Sequence, residues 1–337
     1  MAAVASVLPS VLPQDQILLV DSALIGAMGA MALNLVMGQA GLVSAGNAAL
    51  LAVGAYTSAA LTWYWHAPFP LVLAGAVAAG ALIGVVIGLP SLRVLGVYLA
   101  IATIALHFIV IYACTQFQQH TVGEAGFLIP VASIGGFQID TNTKWLYLLA
   151  IFTLACFVLI ENLRYSKFGR AWMFIRDAPL VAASQGISLS RYKLLAFVVS
   201  SSIVCLAGAL QAYLVQAVYV DSYSFTLAIQ YVAMIIIGGV GSTGGAIAGA
   251  FVVILLPTFL SRLIGALPVS GSLASTLQQD TGDLQLIIYG VVIILFLMAQ
   301  PGGFAGMARA LRARMETVAA LRSGSPKAGS PREGEAN

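Results

Sequence analysis

The sequence predicts an all-α fold, a polytopic transmembrane bundle of about nine helices (8–10), some broken at glycines, with a long cytoplasmic loop near its middle. Three observations predict it. Of the 337 residues, 60% are hydrophobic and 8% are charged, with a mean hydropathy of +0.98, and a soluble domain of that composition would expose large apolar patches. Apolar stretches, most of them long enough to cross a hydrocarbon core ~30 Å thick, recur along the chain. None shows the two-residue alternation of a membrane barrel; Leu, Ala, Ile, Val and Gly dominate, as in packed helix bundles.

In order, the stretches lie near 16–37, 43–62, 69–90, 96–115, 145–161, 193–217, 227–241, 245–264 and 284–300. The first comes after a segment without Lys or Arg, which makes a poor cleavable signal peptide, so it is expected to remain as a helix after an extracytoplasmic N-terminus, 1–15. The second is rich in glycine and ends at Trp63, Tyr64 and Trp65, an aromatic set that suits a membrane interface. The fourth carries His107. The fifth begins beside Lys144 and closes at Glu161. The seventh and eighth are separated by a glycine cluster around 238–245. The bundle is expected to occupy 16–315, with a cytoplasmic loop at 162–192 and a disordered cytoplasmic tail at 316–337, where Gly, Ser, Pro and charge replace any apolar period.

Positive charge orients the bundle, because Lys and Arg near helix ends favour the cytoplasmic side. Of the 15 basic residues, Arg164, Lys167, Arg170, Arg176, Arg191 and Lys193 lie in or beside the loop. Arg309, Arg312, Arg314, Arg322, Lys327 and Arg332 lie in the tail. Four stretches, an even number, separate the two groups, so both fall on the same side. Arg93 then also lies inside, Lys144 and Arg262 at or near the outer face, and the C-terminus in the cytoplasm.

Ionisable residues are scarce within the apolar stretches, where carriers and intramembrane enzymes keep them for function. Asp21, Glu161 and His107 are read as interfacial or hydrogen-bonded residues, with a proton relay as the alternative. Cys114, Cys156 and Cys205 stand alone in separate stretches, without C-x-x-C or paired histidine spacing, and are read as packing residues. The sequence holds no H-E-x-x-H, G-x-S-x-G or G-x-x-x-x-G-K-[ST] pattern, so no zinc protease, serine hydrolase or P-loop site is encoded.

The loop sequence KFGRAWMFIRDAPLVAASQGI, 167–187, reads as two short helices joined at a bend. Ala171, Trp172 and Ile175 share one face at spacings of three and four, with Lys167, Arg170 and Arg176 at its edges. Asp177 can cap the second helix, Pro179 suits a first helical turn, and Gly186 suits a C-terminal cap. Such an element either rests on anionic headgroups or docks a soluble partner, for which the small residues Ala171, Ala182, Ala183 and Gly186 permit close approach.

Four separated motifs resemble the integral-membrane permeases of the branched-chain amino-acid type of ABC importer, specifically the longer of their two paralogous subunits. They are LNLVMGQAGLVSAGNAALLAVGAYTSA from Leu33, YLAIATIAL from Tyr98, the loop with its continuation to Phe197, and MIIIGGVGSTGGAIAGA from Met234. The resemblance spans nearly all of 16–315. It implies that the loop is the coupling segment seated in a cleft of an ATPase, through Gly169, Arg170, Ala171, Ile175, Arg176, Asp177, Ala182, Ala183 and Gly186.

The glycine-rich motifs make helices locally breakable and place neutral polar groups in the membrane. Asn34, Gly38, Gly41, Ser44, Gly46, Asn47, Gly54 and Thr57, with Gly238, Gly239 and Gly241 from the second half, are the expected translocation pathway; Gly244 and Gly245 continue the second cluster, and plain helix packing is the other reading of each glycine. By resemblance the chain binds no cofactor and is not itself an enzyme; ATP and Mg are used by its partners. Those partners are a homologous second permease subunit, two cytoplasmic ABC ATPases and an extracytoplasmic substrate-binding protein, assembled in the lipid bilayer of a bacterial inner membrane, with no nucleic acid. Two departures stand out. Asn47 replaces a histidine found in many members, which leaves urea, short amides and other amino acids as alternative cargoes, and Pro301, Gly302 and Gly303 stand where Pro-Arg-Gly is usual. A self-sufficient secondary carrier or channel is the rival from another class.

Overall fold

The computed structural model describes residues 14–91, 96–134, 136–266 and the isolated positions 290, 291, 294, 303 and 306. Helix α1, Gln14–Asn34, runs into a π-helical turn, Leu35–Gln39. The chain then leaves helical geometry until α2, Asn47–Trp65. Left-handed His66 (φ 46°) ends α2, and its N–H donates to the Thr62 carbonyl. Beyond it come α3, Phe69–Ser91; α4, Val97–Thr121; and α5, Asn142–Tyr165. Two short helices, α6 at Lys167–Asp177 and α7 at Pro179–Ser184, precede α8, Leu189–Val215. The last described helices are α9, Phe225–Gly238, and α10, Thr243–Ala266.

Among the described residues, strands are confined to one end. In the α4–α5 connection lie β1 (Phe127–Leu128), β2 (Ser133–Ile134) and β3 (Phe137–Gln138), and after α8 lies β4 (Ala217–Val218). Antiparallel β1 and β4 pair Phe127 with Val218 and Leu128 with Ala217, while β2 pairs with β3 as a hairpin. These short pairings satisfy backbone groups where the chain leaves the helices.

Among the described residues, six spans are long and apolar enough to cross a membrane: Gln16–Gln39, Phe69–Leu89, Tyr98–Thr121, Asn142–Tyr165, Leu189–Val215 and Val220–Gly238. The sequence predicts about nine. The stretch at 43–62 is realised as α2, whose apolar content is diluted by polar and aromatic residues. The stretch at 245–264 is α10, apolar over the shorter Thr243–Phe259. The ninth, 284–300, lies largely outside the described residues, as do the N-terminal segment 1–13 and the tail 316–337.

Burial separates core from rim. In its apolar span α1 is 72% buried inside the protein, whereas α4 is 22% buried, so α1 is the central post and α4 a peripheral helix. Ile101, Ile109 and Tyr112 on α4, and Ile151 and Val158 on α5, are exposed as lipid-facing side chains should be. Glycines let helices approach closely. On α3, Gly80 and Gly84 lie against α8 so tightly that a Cβ on Gly80 would stand 2.6 Å from the Ser201 carbonyl oxygen, and one on Gly84 2.8 Å from Val198 Cα. This is small-residue packing, the main route to helix association where lipid removes the hydrophobic drive.

Contacts at the two ends fix the helix directions. At one, Phe69 at the start of α3 packs edge-on against Tyr213 near the end of α8, centroids 4.8 Å apart, and the Tyr213 hydroxyl meets Thr62 at 3.1 Å. At the other, Arg176 at the end of α6 meets the π-helical turn that ends α1 and borders the turn that follows α9. The loop basic residues cluster at this second, basic end.

Candidate functional site

At the basic end, local sequence dictates α6 and α7. Ser166 caps α6, its Oγ accepting the Phe168 N–H at 3.1 Å. Pro179 opens α7 and Gly186, at φ 80°, turns the chain beyond it; Asp177, expected to cap α7, instead ends α6, and the cap position is Ala178, which offers no side-chain bond. The face predicted from helical spacing is the one turned inward: Ala171, Trp172 and Ile175 are buried, and Trp172 is 0% exposed. Its Nε1 donates to the Tyr192 carbonyl on α8 at 2.7 Å. Gly169 sits against the Arg164 backbone with no room for a Cβ, and Ala182 is buried beneath α7. Four of the expected partner contacts, Gly169, Ala171, Ile175 and Ala182, are therefore placed in a seam within the chain, while Arg170, Asp177, Ala183 and Gly186 are exposed. The outward apolar residues are others, Leu180 at 86% exposure and Val181 at 50%. Sequence reasoning misses them because it assigns apolar residues to the interior.

Arg176 is exposed as well, with 45% of its side chain accessible, yet it also reaches inward. Its Nη1 donates to the Gly38 carbonyl in the π-helical turn that ends α1. There the last carbonyls lack intrahelical donors and carry the negative end of the helix dipole, so a guanidinium is the fitting cap. Gly41, at φ 68°, leaves the space that the arginine stem fills, since a Cβ there would stand 2.8 Å from Arg176 Cγ. The second glycine cluster arrives at the same point. Gly239 (φ 102°) and Gly241 (φ 87°) turn the chain from α9 into α10, and the Gly241 N–H donates to Asn34 Oδ1 at 2.8 Å. A Cβ on Gly38 would lie 2.7 Å from Gly241 Cα. Gly303 seats on the same turn, where a Cβ would stand 2.6 Å from the Gly239 nitrogen.

Beside this joint, the start of α2 borders a small cavity of about 10 Å³, the room of one water, where Ser44, Asn47, Thr103, Ser200 and Ser201 share the lining with apolar side chains such as Leu50 and Phe197. The Ala45 N–H donates to Thr103 Oγ1 at 3.0 Å, and Ser200 Oγ donates to the Ala32 carbonyl at 2.7 Å. Asn47 Nδ2 is buried without a hydrogen-bond partner among the described residues. Six expected pathway residues, Asn34, Gly38, Gly41, Ser44, Gly46 and Asn47, are thus gathered around the break between α1 and α2, and Gly239 and Gly241 join them. Three lie elsewhere. Gly54 packs against the Cys205 backbone, Gly238 against Gly245, and Thr57 bonds back to the Val53 carbonyl of its own helix at 2.7 Å.

The intramembrane ionisable groups meet the expectation only at Glu161. Glu161 pairs with Arg164 at 3.4 Å. Asp21 is 0% exposed and neither carboxylate oxygen has a hydrogen-bond partner among the described residues, so the expected hydrogen bond is not found there. His107 is buried against the Phe225 ring, its Nδ1 without a hydrogen-bond partner among the described residues. The three cysteines are buried and free, and Cys205 Sγ donates to the Leu50 carbonyl at 3.1 Å. No group of three metal-ligating side chains occurs among the described residues.

The family profile described as branched-chain amino acid transport system / permease component matches residues 17–297, which takes in both glycine breaks and the α6–α7 element. The chain belongs to this permease family. Two relatives, each named high-affinity branched-chain amino acid transport system permease protein LivM, extend the match. The one from Salmonella typhimurium is 29% identical over 304 residues, and the one from Escherichia coli 28% identical over 304 residues; each alignment covers 82% of this chain and 67% of the relative. The xylose/arabinose import permease protein XylH of Sulfolobus acidocaldarius is 23% identical over 171 residues, covering 50% of this chain and 44% of its own. No solved structure matches the permease significantly.

Proposed function

We infer that the permease supplies half of an ATP-driven import pathway for branched-chain amino acids, with α6–α7 as the seat of a cytoplasmic ATPase. One observation carries the reading: a basic helix pair presents Leu180 and Val181 outward at one end of the bundle while its inner side is bonded to the ends of membrane helices. A helix resting on lipid needs no such inward attachment. In this mechanism a second permease subunit completes the pathway, two ATPases hydrolyse ATP with Mg, and an extracytoplasmic binding protein delivers cargo. ATP binding closes the ATPases and moves α6–α7, and the glycine-broken ends of α1 and α9 shift with it. An amino acid in transit carries equal and opposite charges. The hydroxyls and amides around Ser44, Asn47 and Thr103 suit it without a fixed ion.

Two competing readings have their own observations. Neutral Asn47, with its free amide donor, favours urea or a short amide as cargo. Buried Asp21 favours a proton-driven carrier. The deciding experiment purifies the permease with its associated proteins and reconstitutes the assembly into liposomes. Leucine uptake that requires ATP and survives a protonophore supports the importer; uptake by the permease alone, abolished by the protonophore, overturns it. Urea and acetamide as competitors separate the cargo classes.

A further inference from the structure

We propose that Arg176 is a positioning residue that transmits ATPase movement to the pathway, by holding two glycine-broken helix ends together, although part of its side chain is accessible. The proposal rests on the reading of α6–α7 as the ATPase seat. It departs from the simplest expectation for a cytoplasmic arginine there, a contact with the partner.

Three features converge. First, α6 is a stiff lever, capped by Ser166 at one end and anchored on α8 through Trp172, whose Nε1 reaches the Tyr192 carbonyl at 2.7 Å. Arg176 lies one turn beyond Trp172, at the end of the lever. Second, its Nη1 donates to the Gly38 carbonyl, while the same nitrogen lies 3.6 Å from the site a Cβ would take on Gly241. The guanidinium therefore touches the end of α1 and borders the turn between α9 and α10 at once. Third, those two breaks are bonded to each other through Gly241 N–H and Asn34 Oδ1 at 2.8 Å, with Gly38 and Gly241 in backbone contact.

A guanidinium has five donors in a planar fork, so it can hold a carbonyl in one helix end while bordering another, which an ammonium on a flexible stem does less well. The glycines are what let the clamp close. Arg176 Cγ occupies the room Gly41 leaves, and any side chain at Gly38 would separate the two breaks. Motion of α6 is thereby delivered to α1, the most buried span, and to the start of α10 together. Both π-helical turns and helix ends held by few bonds are segments that rearrange at low cost.

The test uses the full permease with its native partners in liposomes. Arg176→Ala should still co-purify with the ATPases, but ATP hydrolysis should no longer rise when leucine-loaded binding protein is added. Leucine uptake should fall roughly tenfold or more, the factor one charge-assisted hydrogen bond supports. Arg176→Lys should recover part of the stimulation. Gly41→Ala, which pushes the arginine stem away, should reproduce the uncoupling, and it carries the test if Arg176→Ala does not insert. Asn34→Ala combined with Arg176→Ala should be no worse than either change alone, as for two parts of one joint. Normal stimulation in Arg176→Ala and Gly41→Ala overturns the clamp, and so does loss of the ATPases from Arg176→Ala, which would make the residue a partner contact. Leu180→Glu is the control for the underlying reading: if it retains the ATPases, the seat is misassigned whatever Arg176 does.

Discussion

At the scale of single residues, the permease relies on positions where a side chain is barred and on a few large ones that fill the seams. Gly54 has the Cys205 backbone where its Cβ would go. Gly54→Val is expected to lower stability by about 1–3 kcal/mol, the cost of overpacking a tight core, read as a reduced melting temperature in detergent. Trp172 is the largest buried side chain of α6. Trp172→Ala should cost about 3–5 kcal/mol, and Trp172→Phe, which keeps an aromatic ring and loses the bond to Tyr192, clearly less. The exposed pair of Lys144 and Asp140, 2.6 Å apart, is a contrast. The Lys144 ammonium holds the Asp140 carboxyl below its usual range, so what stability it adds is present above the ordinary carboxylate value and lost as pH falls through the lowered one. Asp140→Asn should leave thermal stability at neutral pH nearly unchanged.

At the scale of elements, α6–α7 carries two functions on two faces. The inner face holds it to the bundle and the outer face is available to a partner, so adjacent alanines should behave oppositely. Ala182 is 0% exposed and Ala183 is exposed. Ala182→Trp is expected to disrupt the seam and lower the yield of folded permease, whereas Ala183→Trp should insert normally and lose ATPase co-purification. Equal yields and equal association for the two variants would contradict the assignment of faces. The helical period of Ala171, Trp172 and Ile175 made the inner face legible, because burial tracks a spacing of three and four. The outward Leu180 and Val181 were not legible. Apolar residues awaiting a partner look in a sequence like apolar residues awaiting a core.

At the scale of the whole molecule, the two ends of the bundle should lie on opposite sides of the membrane. A reporter fused after Asn337 is expected in the cytoplasm. Single cysteines at Leu180 and at Trp65, both highly exposed, should react with a membrane-impermeant thiol reagent from opposite sides, Trp65→Cys from outside intact cells and Leu180→Cys only in inverted vesicles. Labelling of both from the same side would overturn the arrangement. The native Cys114, Cys156 and Cys205 are buried, which keeps the background low.

By itself the sequence determined the properties that arise from composition and short-range periodicity. These are the membrane-spanning character, the position of most helices, the paired short helices with their proline start, glycine end and inner face, and the grouping of glycines at two breaks. Each comes from residues within a few positions of one another, where helix geometry leaves a readable spacing. Only the tertiary structure decided what the breaks are for. Arg176 caps a carbonyl 138 residues away, Asn34 receives an N–H 207 residues away, and Gly54 is a packing contact although it lies in the same motif as Gly38 and Gly41. A glycine that admits a neighbour and one that turns the chain are the same letter, and the difference lies in which distant backbone approaches it.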